Sequence, residues 1–258
     1  MLVGGRLRGT RGHPVHDATG ALLGYAAVAG PGDVAEAVAA AKAALPGWAA
    51  MTADERGRAL HGVAELLDER RDRLAADLAA ADGIAVDAAA ELVDAAVDRW
   101  VWYAGWTDKI AGILGAVHPT SGPYVGWSAP RPVGVVGAVS PPSLSALVEA
   151  LAPVLAAGAA AVVVAPHERP VAAAALAEVL ATAELPAGAA NVLTGPVGDL
   201  ATRLTGVDGL DLTGAPDVVA AAAGRGTRVL APPMIDDPPL HRLRAWSEVT
   251  TVWHPVGR

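Results

Sequence analysis

Apolar positions along this chain follow two periods, and the switch between them marks its organisation. Val133–Val139 is an apolar run with interior glycines, and Pro141 and Pro142 end it because proline cannot continue a ladder. Ser143 is placed to cap the next segment, where Leu144, Leu147, Val148, Leu151, Val154 and Leu155 recur at helical spacing. Gly158 stops that helix, and Ala160–Val164 is a second buried strand. Two apolar strands joined by a helix make a βαβ unit, hence a parallel sheet covered on both faces.

The same reading extends in both directions. Leu2–Val28 is glycine-rich and predicts two hairpins, with turns near Gly9–Gly12 and at Ala18-Thr19-Gly20. Asp33 then caps a helix, Val34–Leu45, closed by Pro46-Gly47. Thr52-Ala-Asp-Glu55 is a capping box for a helix reaching about Ala81. Asp87–Trp106 is a further helix with Leu92, Ala96, Val97 and Trp100 inward. Val117–Arg131 breaks the pattern with prolines around Tyr124-Val-Gly-Trp127 and reads as an extended hairpin arm.

After the βαβ unit, helices are predicted at Pro170–Ala183, Val197–Leu204 and Asp217–Ala223. Strands are predicted at Asn191–Leu193, Leu210–Leu212 and Arg228–Leu230. This alternation indicates a doubly wound α/β sheet. Residues 232–239 are a proline-rich linker, Leu240–Ala245 one helical turn, and Glu248–His254 an alternating strand. That strand either closes an edge of its own sheet or adds to the sheet of another chain.

Composition narrows the function. The chain has 258 residues, 53% hydrophobic and 18% charged, enough for a sizeable core built mainly from Ala, Val and Leu. A net charge of −8 argues against nucleic acid or an anionic membrane as partner. There is no cysteine, which removes disulfides, thiolate metal sites and a cysteine nucleophile. The start lacks the apolar core of a signal peptide, so a cytoplasmic protein is expected. The seven histidines show no metal spacing, His13-x-x-His16 included, so no metal site is expected. Nothing in the sequence unites Ser143, Ser145 and His118 into a triad or supplies a nucleophile elbow.

Several blocks, in order, resemble the aldehyde dehydrogenase superfamily. They are Ala44–Trp48, Thr52–Arg56, Leu66–Arg70, Trp102–Ile110, Arg131–Gly137, Asn191–Gly195, Leu212–Gly214 and Glu248–Trp253. The resemblance implies a Rossmann-like doubly wound parallel sheet with N-terminal helices. It also implies a β oligomerisation arm completed by a C-terminal strand, which in the family pairs across the dimer. On this reading residues 1–116 and 131–231 form the NAD-binding-like domain, and 117–130 with 240–258 form the arm and tail. The linker 232–239 stands where the family places its catalytic domain.

Taken one at a time, the family's functional residues are mostly replaced. Its catalytic cysteine has no counterpart, and the general-base glutamate position falls in Leu230-Ala-Pro-Pro233. Ser143 stands at the oxyanion-asparagine position, where its first reading is a helix cap. The family's Lys-Pro-Ser-Glu, which holds the adenosine ribose, is Ala165-Pro-His-Glu168 here, with His167 placed to obstruct. Its Thr-Gly-Ser turn is Thr213-Gly-Ala215, followed by Pro216, and a later helix glycine is Val219. Glu168, Gly195, Gly198 and Gly214 are the retained cofactor-binding candidates.

Three functions follow from this pattern. The first is a non-catalytic subunit acting by oligomerisation with itself or with a full-length aldehyde dehydrogenase paralogue. The second is a residual NAD(P)-binding module. The third is an NAD-dependent oxidoreductase active only in complex. The replacements lead us to expect no bound cofactor, with any NAD binding weakened.

Overall fold

The computed structural model describes residues 1–9, 12–204, 206–212, 227–230 and 239–256. The predicted helix Asp217–Ala223, the linker 232–238, the Thr213-Gly-Ala215 turn with Gly214, and Val219 lie outside the described residues. In the main sheet, β7 (Val135–Val139), β8 (Ala160–Pro166) and β9 (Ala190–Gly195) run parallel with β10 (Gly209–Asp211) and β11 (Arg228–Leu230). Two short antiparallel strands, β1 (Leu2–Val3) and β2 (Arg6–Leu7), extend it to the order β11-β10-β7-β8-β9-β1-β2. This is the α/β doubly wound arrangement that alternating strands and helices predict.

Period-2 alternation within β7 and β8 feeds two cores. Val135, Val139, Ala160, Val162 and Val164 face α1 (Pro31–Ala50) and α8 (Val197–Ala201). Val136, Ala138, Ala161 and Val163 face α6 (Leu144–Ala156) and α7 (Val171–Thr182). Behind α6 and α7 stand α2 (Ala53–Glu69), α3 (Arg71–Asp82) and α4 (Val86–Ala104). Gly134 holds φ +124°, and a Cβ there would stand 2.3 Å from Asp208 Oδ2, the group that accepts from the Val135 N–H at 2.8 Å. Gly134→Ala is therefore expected to lower stability by about 1–3 kcal/mol, read as an earlier urea midpoint.

Several local expectations are corrected. The first hairpin turns at Gly4-Gly5 (φ +58° and +76°), between β1 and β2, while the turn expected near Gly9–Gly12 centres on residues outside the described ones. Gly4 and Gly5 both need the left-handed region that a two-residue hairpin loop demands. The helix predicted to close at Pro46-Gly47 runs on to Ala50. Its last turn buries Trp48, whose Nε1–H donates to the Leu155 carbonyl at 3.2 Å, so tertiary packing overrides the proline break. The helix predicted to reach Ala81 is broken at Arg70, which caps α2 and starts α3. Leu92 is exposed, and Ala89, Val93, Ala96 and Trp100 form the inward face of α4.

The arm is a separate sheet. β5 (Ala116–His118), β6 (Tyr124–Pro132) and β12 (Ser247–Pro255) pair in the order β12-β6-β5. β12 lies antiparallel along the whole of β6 in its own chain, from Ser247↔Pro132 to Pro255↔Tyr124. The tail strand thus closes an edge of its own arm. The hairpin β3 (His13–His16) and β4 (Leu22–Ala26) forms a third, two-stranded sheet, with its turn at the expected Ala18–Gly20.

Candidate functional site

In a sheet of this order the ligand crevice lies outside the carboxyl ends of the strands, where the strand order reverses between β7 and β10. The parallel topology brings Ser143, Glu168, Gly195 and Gly198 to that edge, after β7, β8 and β9. Gly214 lies outside the described residues.

Each placed residue has a local occupation. Ser143 is the N-cap of α6, and its Oγ accepts from the Ala146 N–H at 3.3 Å. Ala165, at the lysine position, is fully buried. The His167 ring packs edge-on against His13 of β3, with centroids 5.0 Å apart. Its Nδ1 lies 3.4 Å from Glu168 Oε2 without hydrogen-bond geometry. Glu168 itself extends into solvent.

Gly195 is fixed by packing. A Cβ there would meet Leu200 Cδ1 at 2.5 Å and the Ala29 carbonyl at 3.1 Å. The strand end is strapped by the preceding segment: the Ala29 N–H donates to the Thr194 carbonyl at 2.7 Å, and Thr194 Oγ1 donates to the Ala27 carbonyl at 2.6 Å. Gly198 is exposed, and nothing lies within 4 Å of a Cβ built on it. Asn191 is structural as well. Its amide donates to the Ala161 and Gly188 carbonyls and accepts from the Gly4 N–H at 2.9 Å, tying the β1–β2 turn to β9.

The strongest polar cluster is elsewhere, under the tail. α9 (Pro239–Ala245) sets Arg242 between two carboxylates. Its Nη1 donates to Asp211 Oδ2 at 2.9 Å, and its Nε lies 3.5 Å from Glu149 Oε2. Glu149 also accepts from the Tyr103 hydroxyl at 2.7 Å and pairs with Arg99 Nε at 2.9 Å. Burial, then the Glu149 charge, pushes the Tyr103 phenol well above its ordinary value, so it stays a neutral donor. The sequence held a signal for this cluster: Glu149 and Asp211 are single charges inside apolar segments, Leu147–Leu151 and Leu210–Leu212. The cluster is fully paired and locks α4, α6, β10 and α9 together, so its chemistry is structural.

Comparison with known proteins places this architecture. The model of the aldehyde dehydrogenase family matches residues 9–232. The chain belongs to the aldehyde dehydrogenase family. It is 31% identical over 206 residues to the glutarate-semialdehyde dehydrogenase of Pseudomonas putida, covering 78% of this chain and 42% of that protein. It is 35% identical over 183 residues to the alpha-ketoglutarate semialdehyde dehydrogenase of Haloferax volcanii, covering 70% of this chain and 37% of that protein. The solved aldehyde dehydrogenase from Brucella melitensis biovar abortus superposes with a TM-score of 0.81 at 27% identity, over 88% of this chain and 50% of that one. PnpE, solved in complex with nicotinamide adenine dinucleotide, superposes at 0.80 with 26% identity, over 89% of this chain and 50% of that one. The chain therefore spans about half the length of the relatives it matches or less.

For this family member, a dinucleotide is the group that resemblance implies at the carboxyl edge. The described residues there do not fit it. The cation position is a buried alanine, the neighbouring small-residue position holds a ring packed by His13, and the Ser143 hydroxyl is engaged as a cap. Glu168 keeps its carboxylate, exposed to solvent. Among the described residues, no group of three or more His, Asp or Glu side chains could share a metal ion. No described helix is long and apolar enough to cross a membrane.

Proposed function

We propose that this chain is a non-catalytic member of the aldehyde dehydrogenase family that works by assembly. Its partner is a second copy of itself or a full-length catalytic family member. The observation that carries this reading is the contrast between the two ends of the fold. The carboxyl edge has lost its cation and amide groups, while the β5–β6–β12 arm is formed and ends in a strand with no paired strand on its outer side among the described residues. Co-expression with a full-length family member from the same organism tests it. Co-purification of the two, or a stable self-assembly, is the expected result. A monomer that binds neither contradicts the reading.

Glu168 and Gly195 at adjacent strand ends favour a second reading, a residual NAD(P)-binding module. Titration with NAD and NADP decides between them. The assembly reading expects no calorimetric heat and no thermal shift at about 1 mM nucleotide, because a ligand well below its Kd adds almost nothing to stability. A clear saturable shift would favour the nucleotide module. Aldehyde-dependent NAD reduction is expected from a complex with a catalytic partner and not from the isolated chain, which has no cysteine nucleophile.

A further inference from the structure

The hairpin β3–β4 does not close against the helices it crosses. Between it and α3 and α7 lies an open cleft of about 260 Å³. Gly24 makes this space. It stands directly opposite Val15 in the hairpin register, and opposed residues share a face. Val15 is buried and lines the cleft, whereas a Cβ built on Gly24 meets nothing within 4 Å. Beside Gly24, Leu23 and Tyr25 line the same cleft and stay 47% and 62% exposed, so apolar surface is open to a ligand.

Two helical stripes face the hairpin. Arg70, Arg73, Leu74 and Asp77 stand at i, i+3, i+4 and i+7 on α3 and its cap, and Val171, Ala174, Ala175 and Glu178 repeat that spacing on α7. The helices run antiparallel. Arg70 Nη2 donates to Thr182 Oγ1 at 2.9 Å at one end, and Arg169 Nη2 donates to Asp82 Oδ1 at 2.6 Å at the other. The apolar members of the stripes join Val15 as a floor, and the charged members form a rim.

The rim is balanced in charge and poorly satisfied. Arg70 donates to a neutral hydroxyl and has no carboxylate partner among the described residues. Asp77 and Glu178 share one cation, Arg73, at 3.8 and 3.7 Å, beyond hydrogen-bond distance. A ligand of one charge is drawn to one sign here and repelled by the other, while a zwitterion complements both.

We infer that this cleft binds a free amino acid with an apolar side chain. The ligand carboxylate takes the open donors of Arg70, and its ammonium sits between Asp77 and Glu178. The apolar side chain covers the floor in the space that Gly24 leaves. The 260 Å³ cleft lies just under the roughly 300–1,000 Å³ of sites for drug-sized ligands, so a smaller molecule suits it. The cleft is on the side of α7 that faces away from the sheet, apart from the β7–β10 crevice and from the arm. Binding there needs no assembly, so its failure leaves the proposed function standing.

Calorimetry on the full chain uses three probes that share one branched side chain. They are L-leucine, 4-methylpentanoate, which lacks the ammonium, and 3-methylbutylamine, which lacks the carboxylate. Leucine is expected to bind saturably with a Kd of about 1 mM or below. Each analogue is expected to bind about tenfold more weakly, the effect of losing one charged hydrogen bond. Gly24→Val fills the cleft with a side chain suited to a strand. It is expected to weaken leucine at least about tenfold while the melting temperature of the free chain holds or rises. Arg70→Met is expected to weaken leucine about tenfold and to leave the amine unchanged.

Absence of a saturable leucine signal up to about 10 mM overturns the inference. So does a leucine signal that survives Gly24→Val or Arg70→Met unchanged, or an analogue that binds as tightly as leucine.

Discussion

Arg242→Met is expected to lower the unfolding free energy by about 3–5 kcal/mol, the cost of breaking a buried ion pair by removing its cation. Asp211 is 2% exposed and sits at the end of β10, where the Arg242 guanidinium pairs with it at 2.9 Å. Removing that cation takes the Arg242 guanidinium from Asp211 and from one side of Glu149. The double variant Asp211→Leu with Arg242→Met is expected to recover part of the loss, because both halves of the buried pair are then apolar. Urea unfolding of the two single variants and the double variant measures this as a non-additive cycle. Additive losses would show that the pair is not coupled. Because Arg242 lies on α9, the same measurement reports how firmly the tail is docked.

Trp246→Ala is expected to cost a similar amount, about 3–5 kcal/mol, through loss of transfer energy and the cavity left behind. The Trp246 side chain is fully buried, and Gly209 exists in its present form for this ring: a Cβ at Gly209 would meet Cζ3 at 2.8 Å. Arg228 grips the backbone on either side, with Nη1 donating to the Ala245 carbonyl at 2.8 Å and the Ser247 carbonyl at 3.1 Å. The tail therefore passes through the main core before it reaches the arm. Loss of the Trp246 ring loosens α9 and the start of β12 together. Hydrogen exchange along β12 is expected to accelerate in Trp246→Ala, and unchanged protection there would show that the arm holds the strand without the core.

The sheet and most helices were legible because their signals are local. The βαβ unit follows from the apolar runs Val133–Val139 and Ala160–Val164, the Pro141–Pro142 stop and the Gly158 break. Ser143 was legible as a cap for the same reason, and its Oγ accepts from the Ala146 N–H. Local rules failed where distant contacts decide. Pro46 stays helical because Trp48 bonds to Leu155 across the core. The helix phase that puts Val93 and not Leu92 inward is set by packing on α2 and α6, which periodicity fixes only to within a residue. Nothing near His167 announces that His13 packs its ring, and nothing near Glu149 or Asp211 names Arg242 as their partner. The alternation of Glu248–His254 identified a strand, while its choice of β6 depended on residues far away in the chain.

The candidate site divides along the same line. That resemblance sets Ala165 at the family's lysine position and Ser143 at its asparagine position was legible in the sequence. The engagement of the remaining residues was visible only in three dimensions: Gly195 under Ala29 and Leu200, and His167 against His13.

Sedimentation equilibrium of the purified chain, alone and mixed with a full-length family member from its own organism, tests the central claim most directly. The account predicts an assembled species, at twice the 25.8 kDa chain mass when alone or at the mass of a mixed complex. This chain remaining at its own 25.8 kDa mass in both samples, at every concentration, would contradict it.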